Sequence, residues 1–198
     1  MDATIWSELH PVTDRESIQN EEQKDEKING QIYRMSPAPD FRHGIVNSNI
    51  HTKIKSGLKD SSCLVSIANL DFKYHPQISQ DYVCPDVMIV CDRNHLKGGS
   101  YDGIPRFVAE TVSPSTAKRD KTEKKDIYEK AGVEEYWIVS PQGMVDIYYL
   151  NDGTYSLEYS YMLQSDKQDV NYHAEQEICL QAFPHIKMTL GEIFEGVY

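Results

Sequence analysis

The sequence predicts a mixed α/β (α+β) domain built on a central sheet, and three observations carry that expectation. Val83 to Cys91 is a near-continuous apolar run, the pattern of a strand buried on both faces. Asp40 to Leu58, and a second stretch ending at Ala131-Gly132, place apolar residues at helical spacing. Asn29-Gly30 and Asn151-Asp152-Gly153 stand between strand-like runs, where tight turns need positive φ angles.

The elements follow in order. Residues 1–27 read as a polar, acidic N-terminal arm with few core anchors (Ile5, Trp6, Leu9, Ile18), and residues 28–198 as one domain. Ile28 to Tyr33 is a hairpin signal, ended by the prolines of Met35-Ser36-Pro37-Ala38-Pro39, which cannot continue a ladder. From Asp40 to Leu58 the apolar stripe uses Ile45 or Val46, Asn49 or Ile50, Lys53 or Ile54, and Leu58, with His43 near its start. Leu64 to Ala68 is a strand, and Asn69 to Gln80 a polar loop or hairpin. Val83 to Cys91 is the next strand, followed by a Gly-rich, mobile connection from Asn94 to Gly103.

Pro105 to Ser113 alternates, with Val108, Glu110 and Val112 on one face and Phe107, Ala109 and Thr111 on the other. Ser113-Pro114-Ser115 marks a helix start with serine as N-cap. On that helix Lys124, Ile127, Tyr128 and Ala131 form one stripe, and Gly132 fits the residue just past the end. Glu135 to Val139 is a strand turned by Pro141-Gln142-Gly143. Asp146 to Leu150 and Thr154 to Met162 form an additional C-terminal hairpin, with a strand near Glu177 to Leu180 and a helical turn at Leu190 to Phe194 beyond it.

Composition narrows the function. At 198 residues, 39% hydrophobic and 26% charged, the chain has the make-up of a globular protein with a sizeable core. Its apolar runs are only strand length, and no signal peptide opens it, so no membrane and a cytoplasmic location are expected. Cys63, Cys84, Cys91 and Cys179 suggest neither a disulfide scaffold nor a zinc site, and Cys84 and Cys91 read as small buried hydrophobes. A net charge of −11 argues against bulk attraction to nucleic acid. Residues 118–125 reverse that sign locally, with five basic residues against two acidic ones.

Two acids stand in apolar strands, Asp86 at the start of one and Glu110 inside another. A buried, unpaired carboxylate is costly, and a divalent cation would explain both. Mg²⁺ favours oxygen ligands and keeps waters for a substrate phosphate, and a lysine on the next helix can orient the attacking water or stabilise phosphate charge. Each residue also has a plainer reading. Asp86 can cap a turn, Glu110 can pair with a helix lysine, and Lys124 can snorkel along its stem. His43 can polarise water or simply hold a structural hydrogen bond, and Glu26 can be an accessory acid or solvent-exposed. Ser113 lacks the G-x-S-x-G context of a nucleophile. Tyr128, Tyr136 and Trp137 read as core aromatics.

In combination these stretches resemble a known family. Pro85-Asp86 before an apolar strand, Phe107-Val108-Ala109-Glu110-Thr111-Val112-Ser113-Pro114-Ser115-Thr116, and Lys124-x-x-x-Tyr128-x-x-Ala131-Gly132-Val133-x-Glu135-Tyr136-Trp137 are similar to the Uma family of restriction-endonuclease-like proteins. Glu26-x-Ile28-Asn29-Gly30 and the position of His43 after Met35-Ser36-Pro37 match as well. The resemblance covers about residues 26–150 or more. It implies the PD-(D/E)XK nuclease fold, a central mixed sheet flanked by helices, and metal-dependent endonuclease cleavage of DNA phosphodiester bonds. Carried over, the catalytic residues are Asp86, Glu110 and Lys124, with Asp86 and Glu110 as ligands of Mg²⁺ or Mn²⁺, and His43 and Glu26 as accessory groups. Lys118, Arg119, Lys121 and Lys125 are the expected DNA-phosphate contacts, Lys121 and Lys125 also being fallbacks for the lysine. The usual lysine two residues after the second acid is absent, because Val112 stands there. The alternatives are a non-catalytic interaction module on the same fold, or a structure-selective nuclease such as a junction resolvase, where a homodimer would set the distance between two cuts.

Overall fold

A computed structural model describes residues 24–35 and 40–198. The expected arm anchors Ile5, Trp6, Leu9 and Ile18, and the prolines at 37 and 39, lie outside the described residues.

The described chain enters through the hairpin β1 (Asp25–Ile28) and β2 (Gln31–Arg34), turned at Asn29-Gly30, where both φ angles are positive. The first strand therefore starts inside the stretch read as an arm, and Glu26 belongs to it. Helix α1 (Phe41–Gly57) follows, with the Asp40 side chain accepting from Arg42 N. Then come β3 (Leu64–Ile67), β4 (Asp71–Phe72), β5 (Val87–Val90), β6 (Leu96–Lys97), β7 (Ser100–Tyr101) and β8 (Phe107–Thr111). Helix α2 has three parts: an α-turn at Ala117–Arg119, a π-helical turn over Asp120–Lys124, and α-helix again over Lys125–Ala131. The chain closes with β9 (Glu135–Ser140), β10 (Met144–Asn151), β11 (Thr154–Met162), β12 (Glu177–Cys179), β13 (Lys187–Thr189) and α3 (Leu190–Ile193).

Six strands make the central sheet in the order β11-β10-β9-β8-β5-β3. It is mixed as expected: β8 and β9 are parallel, and the other neighbours antiparallel. A parallel pair needs a crossover, and α2 is that crossover. Alternation along β8 sends Phe107 and Ala109 into a core with Val46, Ile50 and Ile54 of α1 and Trp137 of β9. Val108 and Val112 enter a second core on the opposite face, with Ile127 and Tyr128 of α2 and Tyr136 of β9. Glu110, on the α2 face, is consequently walled in by aromatic and aliphatic side chains.

Three local expectations are corrected. The Asn94–Gly103 connection is not a plain loop, because β6 and β7 pair with each other and β7 lies parallel to β4. Ser113 does not cap α2; Thr116 holds that position, while the Ser113 hydroxyl accepts from Thr116 N in a turn just before it. The proline at 114 and this turn delay the helix by several residues. Cys91 is not a lone buried hydrophobe, since it forms a disulfide with Cys63 across the β3–β5 ladder, at the pair following Leu64 and Val90. Cys84 is free and buried, as read from its apolar strand. Gly132 ends α2 in the left-handed region, at φ +87°, as its place after Ala131 predicts. Among the described residues no helix is long and apolar enough to cross a membrane.

Candidate active site

The N-terminal end of β5, the middle of β8, the π-turn of α2 and strand β1 meet on one side of the sheet. Asp86 immediately precedes β5, and its carboxylate Oδ2 accepts from the backbone N–H of Thr111 at 2.9 Å. Glu110 projects from β8 toward α2 and is 2% exposed. Lys124 ends the π-turn with its Nζ 2.8 Å from Glu110 Oε1, 2.8 Å from Glu26 Oε1 and 3.7 Å from Asp120 Oδ1. Tyr128, one turn further along α2, donates to the same Glu110 oxygen. Helical turns with an extra residue are frequent at functional sites, and here the wider turn brings both Asp120 and Lys124 into the interior.

His43, in the first turn of α1, closes the other side with Nε2 3.1 Å from Asp86 Oδ2. Asn47, one turn later, is buried and bonds both His43 Nδ1, at 3.2 Å, and the Thr111 hydroxyl. Glu26 reaches in from β1, where its Oε1 also accepts from Cys84 N at 3.0 Å. Arg119 lies at the rim, 3.8 Å from Glu26 and stacked on the Tyr33 ring.

The structure thus brings Asp86, Glu110, Lys124, His43 and Glu26 into one constellation. The remaining expected residues behave differently. Lys118 and Lys121 are exposed beside the π-turn, and the Lys125 ammonium lies 4.3 Å over the Tyr148 ring. Sequence reasoning missed Asp120 and Asn47. Asp120 was masked by the basic run around it, and its inward course follows from the π-turn. Asn47 did carry a signal, its place four residues after His43 on the same helix face.

The electrostatics are those of a buried acidic cluster gathered around one cation. Burial pushes the Glu110 carboxyl up, against the pull of Lys124 and with the help of Asp86, Asp120 and Glu26. Burial also raises Asp120, again opposed by Lys124. Burial by itself would lower the Lys124 pKa, but Glu110, Glu26, Asp120 and Asp86 together hold it well above the usual lysine value. These neighbours favour the charged ammonium. His43 is raised because its bond to Asp86 and the charges of Asp86 and Asp120 outweigh its desolvation.

Four carboxylates face one lysine, with Arg119 and His43 at the edge, so the donor set is hard oxygen with an excess of negative charge. Among the described residues no three His, Cys, Asp or Glu side chains form a preassembled metal cage. Mg²⁺ does not require one, because it is held by one or two carboxylates and completes its shell with water. The bonds from described residues converge on Asp86 Oδ2 and Glu110 Oε1. Asp86 and Glu110 are the residues that would hold a divalent cation, and their hard oxygen donors fit one on these grounds.

Comparison with known proteins bears on the family and the fold. Residues 6–175 match the model of the Uma2 family, described as "Putative restriction endonuclease". The uncharacterized protein slr1290 of Synechocystis sp. is 31% identical over 181 residues, spanning 90% of this chain and 87% of that protein. A crystal structure from Anabaena variabilis, described as a "putative nuclease belonging to DUF820", superposes with a TM-score of 0.65 at 16% identity. That superposition covers 89% of this chain and 93% of the other, and it shows a shared fold.

Proposed function

The chain belongs to the Uma2 family, and from that premise we propose that it is a metal-dependent endonuclease that hydrolyses DNA phosphodiester bonds. The observation that supports this reading is the convergence of Asp86, Glu110 and Lys124 from the start of β5, β8 and α2, in a buried cluster whose acids outnumber its cations. Asp86 and Glu110 would hold Mg²⁺ or Mn²⁺, which supplies Lewis-acid polarisation of the phosphate and a bound water of lowered pKa.

The chain's own groups divide the remaining work. Lys124 is held protonated by its acidic neighbours, so it serves as a fixed positive charge that orients water and offsets charge on the phosphate, not as a base. Tyr128 and Lys124 both bond Glu110 Oε1 and so fix that carboxylate's rotation. His43 donates toward Asp86 from the more open side, with 16% of its side chain exposed, where a phosphate would approach. Glu26 holds Lys124 in place from the β1 strand. Lys118, Lys121 and Arg119 supply local positive charge along the approach to an otherwise acidic protein. A homodimer would place two such sites on two strands.

The test is nicking of supercoiled plasmid by the purified protein with Mg²⁺ or Mn²⁺. Asp86→Ala is expected to abolish it, and activity that survives both Asp86→Ala and Glu110→Ala sinks the assignment. One observation favours the rival reading, a nuclease fold kept as a non-catalytic interaction module: Glu110 and Lys124 neutralise each other with only 3% and 4% of their side chains exposed. Calorimetric titration with Mn²⁺ separates the two, since an ion-paired structural core would take up no metal.

A further inference from the structure

Asp86 and three residues around it, His43, Asn47 and Thr111, close a ring of hydrogen bonds in which Asn47 and Thr111 have no role in the proposed reaction. Asp86 Oδ2 accepts from Thr111 N at 2.9 Å and faces His43 Nε2 at 3.1 Å. The Thr111 hydroxyl donates to Asn47 Oδ1 at 2.5 Å, and Asn47 Nδ2 lies 3.2 Å from His43 Nδ1. The directions of these bonds are linked. An amide whose oxygen accepts from threonine presents its NH₂ to the histidine. The histidine must then accept at Nδ1, and a neutral ring that accepts at Nδ1 carries its proton on Nε2. That proton points at Asp86. Asn47 and Thr111 are buried, at 3% and 0% exposure, so water does not compete for these partners.

We propose that Asn47 is a positioning residue that fixes the neutral His43 ring with its proton on Nε2, so that the ring donates to Asp86 and sets that carboxylate's orientation. The ring links α1, β8 and the residue before β5, so the helix dictates where the Asp86 oxygens point. Two donors occupy Oδ2 and fix that carboxylate's rotation. Outer partners of this kind typically govern metal affinity by about 10–100-fold. The functional part of the proposal rests on the metal-site reading given above; the proton's position does not.

The decisive measurement is the ¹⁵N–¹H correlation spectrum of the histidine rings of the full-length, metal-free protein, at alkaline pH where the ring is neutral. Wild-type His43 is expected to show protonated Nε2 and bare Nδ1. In Asn47→Asp the side chain can only accept, so the proton is expected to move to Nδ1. Thr111→Val keeps the backbone donor to Asp86 but frees the amide to turn, and is expected to give a mixture. Mn²⁺ affinity by calorimetry should fall about tenfold or more in Asn47→Asp and recover partly in Asn47→Gln. A wild-type ring protonated at Nδ1, or an unchanged ring spectrum in both folded variants, overturns the proposal. If wild-type protein binds no Mn²⁺, the metal-site reading fails, and the ring spectra still decide the role of Asn47.

Discussion

Lys124 and Glu110 form an ion pair of 2.8 Å inside the protein, with almost no side-chain surface left to solvent on either partner. Charges taken out of water hold each other in place only while both are present. Lys124 also serves Glu26, so its loss strands two carboxylates at once.

Lys124→Met is therefore expected to destabilise the fold by about 3–5 kcal/mol, the usual result of breaking one side of a buried pair. The loss should depend on pH. Without the ammonium, Glu110 folds best as a neutral acid, so the variant is most stable below the ordinary carboxylate range and weakens as pH rises above it. Urea unfolding at acidic and neutral pH measures this. Equal losses at both would show that Glu110 does not depend on the lysine.

Asp120→Asn removes one of the four negative charges while preserving the side chain's shape. Asp120 lies within the field of Lys124, Asp86 and Glu26. The expected outcome is a folded protein whose Mn²⁺ affinity is reduced roughly tenfold. An unchanged dissociation constant would place Asp120 outside the cation's surroundings.

Glu135 offers a pH test remote from the site. Burial raises its carboxyl to about 7, partly offset by bonds from the Trp137 indole and Gln181 N. A carboxyl raised in the folded state favours the protonated fold. Its stabilising effect is thus present below its unfolded value and is lost as pH rises through about 7. The swing is on the order of 2–3 kcal/mol. Glu135→Gln should flatten this part of the stability–pH curve, as denaturant midpoints between mildly acidic and mildly alkaline pH would reveal.

The Cys63–Cys91 disulfide closes a sequence separation of 28 residues. Thiol titration of the unreduced, denatured protein should detect the two free cysteines, Cys84 and Cys179, and all four only after reduction. In the chain-entropy picture the bond contributes roughly 3–4 kcal/mol, so reductant should lower the unfolding midpoint accordingly. Four reactive thiols before reduction would contradict the bond.

Much of this molecule was legible in its residues. The apolar run around Met88 and the alternation of Phe107 to Thr111 placed the sheet's centre, and alternation put Glu110 on the face that α2 covers. The helix stripe turned Lys124 inward for the right reason, since Ile127 and Tyr128 do share its core face. The Uma-family resemblance is matched by the family comparison. Three things stayed hidden. A π-turn has no pattern in charges or hydropathy, so Asp120 was read with its basic neighbours. Glu135 stands at the start of an apolar strand, and its bond from Gln181 N depends on a tertiary contact with the C-terminal segment. Cys63 and Cys91 become neighbours only once β3 and β5 are in register.

The β1–β2 hairpin delivers Glu26 to a lysine about half the chain length away, and it is tied down by pairing of Lys27 with Tyr82 and by Gly30 N donating to Asp81. Contacts of such long range must first overcome the entropy of closing a large loop. The β8–α2–β9 unit, whose contacts are local, can form before them. Lys124 and Glu110 would meet early, and the acid from β1 would arrive late. Order of assembly then acts as a safeguard: a nascent or partly folded chain holds an incomplete pocket, and whatever this centre does to its substrate waits for the whole domain to close.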